Sequence, residues 1–242
     1  EIYTLSLHDA LPIFGRVGPT AAPPSGHPGA EGLPGIGVHS SVTPFRLISL
    51  AGLKAIAQNT DNYNKNTKVA HITPGIMPSG HQGFGHFNIG DRSKGSSSVY
   101  FGEWSQNGAM TGATRSVFYA GKNRTTAMPS TGTASYSVRG LNNYNPTSPN
   151  LLTGTFTANF GTKKLTGSIA NPALTVDVNA TIAPSNASFG GVATATPAGG
   201  TAVNGGTQGN FFGSQAGLLA GIATFGENNR ALNTAFGGKK KP

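Results

Sequence analysis

The stretch Leu174-Thr175-Val176-Asp177-Val178-Asn179-Ala180-Thr181-Ile182 decides the fold. Leu174, Val176, Val178, Ala180 and Ile182 fall on one side of an extended chain and Thr175, Asp177, Asn179 and Thr181 on the other, a period of two without exception. Leu152, Gly154, Phe156, Ala158 and Phe160 repeat the pattern, as do Ala134, Tyr136 and Val138. Turn clusters separate such runs, and strands are expected near 116–121, 133–139, 151–160, 163–170, 174–182, 186–195, 206–212 and 219–225. Eight antiparallel strands close into a barrel that their own inward side chains fill. Gly154, Gly167 and Gly191, on or near the inward face, would permit tight curvature. Residues 111–242 are therefore expected as an eight-stranded antiparallel β-barrel, a solid body rather than a pocket.

Composition agrees with a mainly β chain. Gly 36 and Pro 16 make about one residue in five of 242, and charged residues are only 10%, where a globular chain usually has about a quarter. Long helices with charged outer faces are excluded. Cys is 0, which removes disulfides, thiolate metal sites and cysteine nucleophiles. No run approaches the roughly 20 apolar residues of a membrane-spanning helix. The first thirteen residues, EIYTLSLHDALPI, read as translated sequencing adapter, because the peptide matches a common library oligonucleotide codon for codon. The natural start and any secretion signal are then expected to be missing. Without Glu1 and Asp9 the balance is 17 basic against 6 acidic residues, or +11.

Residues 14–110 differ in texture. Phe14 to Gly37 is rich in Gly, Pro and Ala and reads as an irregular leader. Thr43 as N-cap and Pro44 at the first helical position predict one helix over Phe45 to Gln58, with Leu47, Leu50, Ala51 and Ala57 on one face. Val69 to Ser98 reads as loop and Ser98 to Trp104 as a strand. The expectation is a small irregular module with one helix, ahead of the barrel.

Histidine is distributed unevenly. Apart from His8 in the adapter, His27, His39, His71, His81 and His86 all lie in the first 86 residues, and the barrel half has none. His71, His81 and His86 share one 16-residue stretch with Ile76, Met77, Phe84 and Phe87. Imidazole is the commonest ligand of transition metals and of haem iron. Met77, Phe84 and Phe87 would give a porphyrin apolar walls, whereas a bare metal ion would want carboxylates around it, and Asp91 is the only acid between Asp61 and Glu103. A solvated Gly/His loop, a haem site and a simple metal site all fit this spacing, which does not choose among them.

Other chemistry is poorly supported. The six remaining acids are isolated along the chain, no Gly-x-Ser-x-Gly elbow occurs, and no Gly-x-Gly-x-x-Gly lies between strand and helix. An enzyme is not expected. Lys239-Lys240-Lys241 looks like a basic tail, but the other cations are scattered and no aromatics interleave with them, so nucleic acid is not an expected partner. The charge reads as a solvated surface, with attraction to an acidic partner or an anionic cell surface as the alternative. Were haem bound, Arg46, Lys54, Arg92 and Lys94 would be candidate partners by position for its propionates, and nothing in the sequence selects among them.

The phrases Pro34-Gly35-Ile36-Gly37-Val38, Leu50-Ala51-Gly52-Leu53-Lys54-Ala55-Ile56-Ala57, Val117-Phe118-Tyr119-Ala120-Gly121, Leu151 to Phe160 and Gly209-Asn210-Phe211-Phe212-Gly213 resemble the hemophilin family of Slam-dependent secreted haemophores. The barrel half, down to Thr234-Ala235-Phe236-Gly237-Gly238, is also similar to the C-terminal barrel of transferrin-binding-protein-B-like surface lipoproteins. The resemblance implies a monomeric carrier of haem b from a Gram-negative bacterium, secreted or held at the outer-membrane surface. It implies an N-terminal clamp with axial histidine, a barrel handled by a Slam-type outer-membrane translocator, and delivery to a TonB-dependent outer-membrane haem receptor. The axial role falls on His39, His81 and His86, with His71 behind, and no catalysis is implied. The competing class is a barrel lipoprotein that binds a host protein rather than haem. A transmembrane eight-stranded barrel fits the alternation but not the short strands or the missing aromatic girdles.

Overall fold

The structure, a computed structural model, describes residues 35–38, 46–79, 82–110 and 115–242, with only the backbone of 35–38 and 46–48. The chain is mainly β, with one α-helix, a five-stranded sheet and then a closed eight-stranded antiparallel barrel. A hairpin of β1 (Gly35–Val38) and β2 (Arg46–Ser49) leads directly into α1 (Leu50–Asn59). The helix thus begins later than Thr43 and Pro44 suggest. Residues 46–49 are committed to pairing with β1, and the Ser49 hydroxyl caps the helix by accepting from the Gly52 amide at 3.2 Å.

The sheet is β3 (Tyr63–Asn64), β4 (Val69–Ile72), β5 (His86–Lys94), β6 (Ser97–Ser105) and β7 (Ser116–Lys122), in that order. Two of its strands lie where the sequence reads as loop. The period of two is hidden in β5 because both faces are covered, and Asn88 and Gly90 stand where alternation would lead one to expect apolar residues. On one face Ala70, Ile72, Phe87, Ile89, Trp104 and Phe118 form a core with Leu50, Leu53 and Ala57 of α1. On the other, Val69, Phe101 and Val117 pack against Leu141, Ile222 and Ala235 of the barrel.

The barrel strands are β8 (Thr133–Leu141), β9 (Leu152–Asn159), β10 (Lys164–Asn171), β11 (Leu174–Ala183), β12 (Ser188–Pro197), β13 (Val203–Phe212), β14 (Leu218–Thr224) and β15 (Thr234–Lys240), closed by pairing of β15 with β8. The strand expected first, near 116–121, is instead the last strand of the five-stranded sheet. The closing strand is one that the alternation does not reveal, since Gly237 and Gly238 carry no side chain and its end is a run of lysines. Lys239 and Lys240 therefore belong to a strand rather than a tail.

Tyr136, Phe156, Phe189, Phe211 and Phe236 fill the barrel interior, with the Phe156 and Phe236 rings edge to face at 5.2 Å. An added Cβ at Gly154 or Gly191 would run into the carbonyl of the neighbouring strand. Outward positions such as Thr175, Asp177, Asn179 and Thr181 are polar, the reverse of a membrane barrel. No helix of the described residues is long and apolar enough to cross a membrane. Outward polarity breaks where the sheet lies over the barrel: β14 is buried from Leu218 through Ala223, and Leu141, Phe212 and Ala235 are buried against the sheet as well. Phe101 of β6 fixes that joint, as added Cβ atoms at Gly90 and Gly237 would both strike its ring.

Candidate functional site

The register of β4 on β5 pairs His71 with Asn88, and β5 on β6 pairs Asn88 with Glu103. Alternation then sets His71, His86, Asn88 and Glu103 on the barrel-facing side of the sheet, and Phe87 on the helix side. Asn88 and Glu103 are buried. The Glu103 carboxylate accepts from Arg115 Nε at 3.1 Å and Nη2 at 2.9 Å, and from the backbone amides of Asn143 at 2.8 Å and Tyr144 at 2.7 Å. Arg115 also donates to the carbonyls of Arg230 at 2.9 Å and Asn233 at 2.6 Å, so one buried ion pair ties the sheet to two barrel loops.

That pair orients an amide. Asn88 Nδ2 donates to Glu103 Oε1 at 2.9 Å, which turns its Oδ1 toward His71 Nδ1 at 2.7 Å. A carboxylate accepts only and an amide oxygen accepts only, so His71 Nδ1 must carry the proton. In the neutral ring the lone pair is then left on Nε2, the atom a metal takes.

His71 and His86 line the same cleft, about 430 Å3, between the sheet and the barrel connection at Asn143, Tyr144, Asn145, Pro146 and Asn150. Gly108 and Met110, beyond the end of β6, complete it. Burial, and after it the nearby His71, lowers the His86 pKa below the ordinary 6.5 and favours the neutral ring. Gly108 has φ +83°, and a Cβ there would sit 3.2 Å from the His86 ring. Glycine is what lets the 108 turn close over His86.

Of the sequence-expected site residues, the structure brings His71 and His86 together, while His39 and His81 lie outside the described residues. Phe84, Phe87 and Met77 are buried in the helix-side core, and the Phe84 carbonyl accepts from Trp104 Nε1 at 2.6 Å. They support the sheet from behind rather than lining the His71 and His86 cleft, whose apolar members are Met110, Tyr144 and Pro146. Lys54 is paired with Asp91 at 2.8 Å, and Arg92 donates to the Ser137 carbonyl at 2.9 Å. Arg92 is also six residues beyond His86 on β5, about 20 Å along the strand. Asn88, Glu103, Arg115 and Gly108 were not legible as site residues. The two-residue step from His86 to Asn88, which puts both on one face of a strand, is the sequence signal for one of them.

The donor set says what would fit. Among the described residues no three of His, Asp and Glu come together as a metal-holding group. A bare zinc ion takes three or four protein ligands. Haem brings four equatorial nitrogens of its own and asks the protein for one or two axial ligands. Imidazoles at His71 and His86 in one cleft match that demand.

Residues 15–116 match the family model described as the HphA N-terminal heme-binding domain, and residues 126–240 match that of the HphA C-terminal domain. The chain belongs to the HphA, or hemophilin, family. The helix and β3 to β6 of the sheet fall in the family's heme-binding domain, the cleft histidines included, β7 begins at its last matched residue, and the barrel is the C-terminal domain. Haem binding is thus the family's property, as the sequence resemblance implies. Solved structures similar to this chain include a transferrin binding protein B from Haemophilus parasuis Hp5, at 18% identity over 81% of this chain and 38% of that one, TM-score 0.46. A surface lipoprotein is 20% identical over 82% and 91% of the two chains, TM-score 0.46. The isotype 1 transferrin binding protein B of serogroup B Neisseria meningitidis is 17% identical over 74% and 36%, TM-score 0.48. The chain spans less than two fifths of either transferrin binding protein B.

Proposed function

We propose that this chain is a monomeric carrier that captures haem b in the cleft between its sheet and the 143–150 connection of its barrel, with the axial imidazole drawn from His71 and His86. The observation that carries the reading is the pairing of His71, whose Nδ1 proton is spent on Asn88 at 2.7 Å, with a second imidazole in the same cleft whose neutral form is favoured. Haem, when bound, supplies an iron that needs one or two such lone pairs. His71 presents Nε2, Gly108 leaves the His86 ring room to turn, and Met110 and Tyr144 cover apolar surface. The barrel interior, packed to its centre, has no part in holding haem; its 143–150 connection walls the cleft, and the barrel as a body serves export by a Slam-type translocator and recognition. The carrier works outside the cell or at the outer-membrane surface of a Gram-negative bacterium and yields haem to a TonB-dependent receptor. It performs no reaction on haem.

The test is an absorption titration with haemin of the native chain and of His71→Ala, His86→Ala, His39→Ala and His81→Ala, each alone. The expected result is one haem per chain, with a Soret band displaced or lost in the first two variants. A band unchanged in both His71→Ala and His86→Ala would place the iron elsewhere.

A further inference from the structure

The polar groups between the sheet and the barrel form a continuous line: Arg115, Glu103, Asn88, His71. A buried ion pair is costly to assemble, and replacing one by apolar residues is often neutral or stabilising. This one ends on an imidazole in a cleft, which gives it a role beyond joining two bodies. The carboxylate of Glu103 has its other acceptor positions taken by Arg115 and by the amides of Asn143 and Tyr144, so it can hold Asn88 in one orientation only. Turned the other way, Asn88 would set its oxygen against the Glu103 carboxylate.

We propose that Asn88 is the positioning residue of His71: held by the Arg115–Glu103 pair, it fixes the proton on His71 Nδ1 and the rotation of the ring, and so keeps the Nε2 lone pair aimed into the cleft for haem iron. The proposal rests on the reading of His71 as an iron ligand. A ligand histidine that donates its second ring N–H to a fixed acceptor is more basic and rotates less, and losing such an acceptor typically lowers metal affinity about 10–100-fold. The barrel takes part in this positioning through its connections. Its Asn143 and Tyr144 amides, and its Arg230 and Asn233 carbonyls, hold the pair that holds Asn88.

Three measurements test this. In the haem-free native chain near pH 8, long-range ¹H–¹⁵N correlation of the histidine rings is expected to show His71 protonated on Nδ1 and bare on Nε2. A proton on Nε2 would overturn the proposal with no variant needed. Asn88→Leu removes the acceptor at similar volume, whereas Asn88→Asp, sharing a proton with Glu103 Oε1 in place of the amide donor, keeps an oxygen facing Nδ1. Asn88→Leu is expected to lose the Nδ1–H tautomer and to release haemin to apomyoglobin about 10–100-fold faster. Asn88→Asp is expected to keep the tautomer and to stay within about threefold of native release. Native release from Asn88→Leu, while His71→Ala changes the spectrum, would overturn the proposal and leave the haem site standing. An unchanged spectrum in His71→Ala would instead remove the haem reading of His71, and the ring tautomer would still report whether Asn88 fixes it.

Discussion

Arg115→Leu is the perturbation that most directly probes the joint on which the cleft is built. Both charged side chains of the pair are fully out of solvent, so the usual worth of a surface ion pair, about 0–1 kcal/mol, does not apply. Removing the guanidinium deletes two hydrogen bonds to Glu103 and leaves the carbonyls of Arg230 and Asn233 without their Arg115 donors. Glu103 keeps Asn88, Asn143 and Tyr144 as donors, all neutral, and its charge loses the cation that offset its desolvation. Breaking a buried pair from one side costs about 3–5 kcal/mol. For a chain of this length that is a fall in Tm of about 6–20 °C, taking about 2–4 °C per kcal/mol. Differential scanning calorimetry of the haem-free chain, paired with urea denaturation followed by tryptophan fluorescence, reads it directly. The double variant Glu103→Leu/Arg115→Leu should recover part of the loss, since no unpaired charge remains, but not all, since the Asn143 and Tyr144 amides lose their acceptor. A destabilisation under about 1 kcal/mol for Arg115→Leu would refute the reasoning, because water would then have to reach Glu103, and a solvated carboxylate does not lock Asn88.

Further outcomes follow from the same geometry. Gly108→Ala forces a side chain into φ +83° and within 3.2 Å of the His86 ring, so it should cost about 1–2 kcal/mol of stability and weaken haemin binding; native haem affinity would show that His86 does not need that space. Because burial lowers the folded-state pKa of His86, its contribution to stability is complete above the ordinary 6.5 of the unfolded chain. It is lost as the pH falls from there to the lowered folded value, where the unfolded state alone takes up the proton. Haem binding should accordingly hold through about pH 6.5 and weaken only below it; affinity unchanged down to about pH 5 would argue against histidine ligation. Phe236→Ala, fully buried in the barrel, should cost about 3–5 kcal/mol while leaving the haem spectrum of the folded protein as it was. A shifted Soret band in that variant would mean the barrel interior is coupled to the haem site.

The sequence by itself determined the barrel, because β9 to β12 are each covered on one side only, and one-sided burial writes a period of two into the residues. It also confined the iron chemistry to the N-terminal half, since histidine occurs nowhere else, and it carried the family in short phrases such as Leu151 to Phe160. Where burial is two-sided the code disappears: β5 holds Asn88 and Gly90 between helix and barrel, β14 is apolar throughout, and β15 pairs through Gly237 and Gly238. Phe84 and Phe87 have the composition of a porphyrin wall, yet alternation along β5 turns Phe87 away from His86, which no count of aromatics near histidines can foresee. Glu103 and Arg115 read as isolated charges because they pair with each other only across neighbouring strands' ends, and their remaining partners include backbone groups at 143, 144, 230 and 233, remote in sequence. Which imidazole nitrogen is free was decided only by tertiary structure. A tautomer is set by the one acceptor that a fold places against a ring, and a linear sequence contains no such placement.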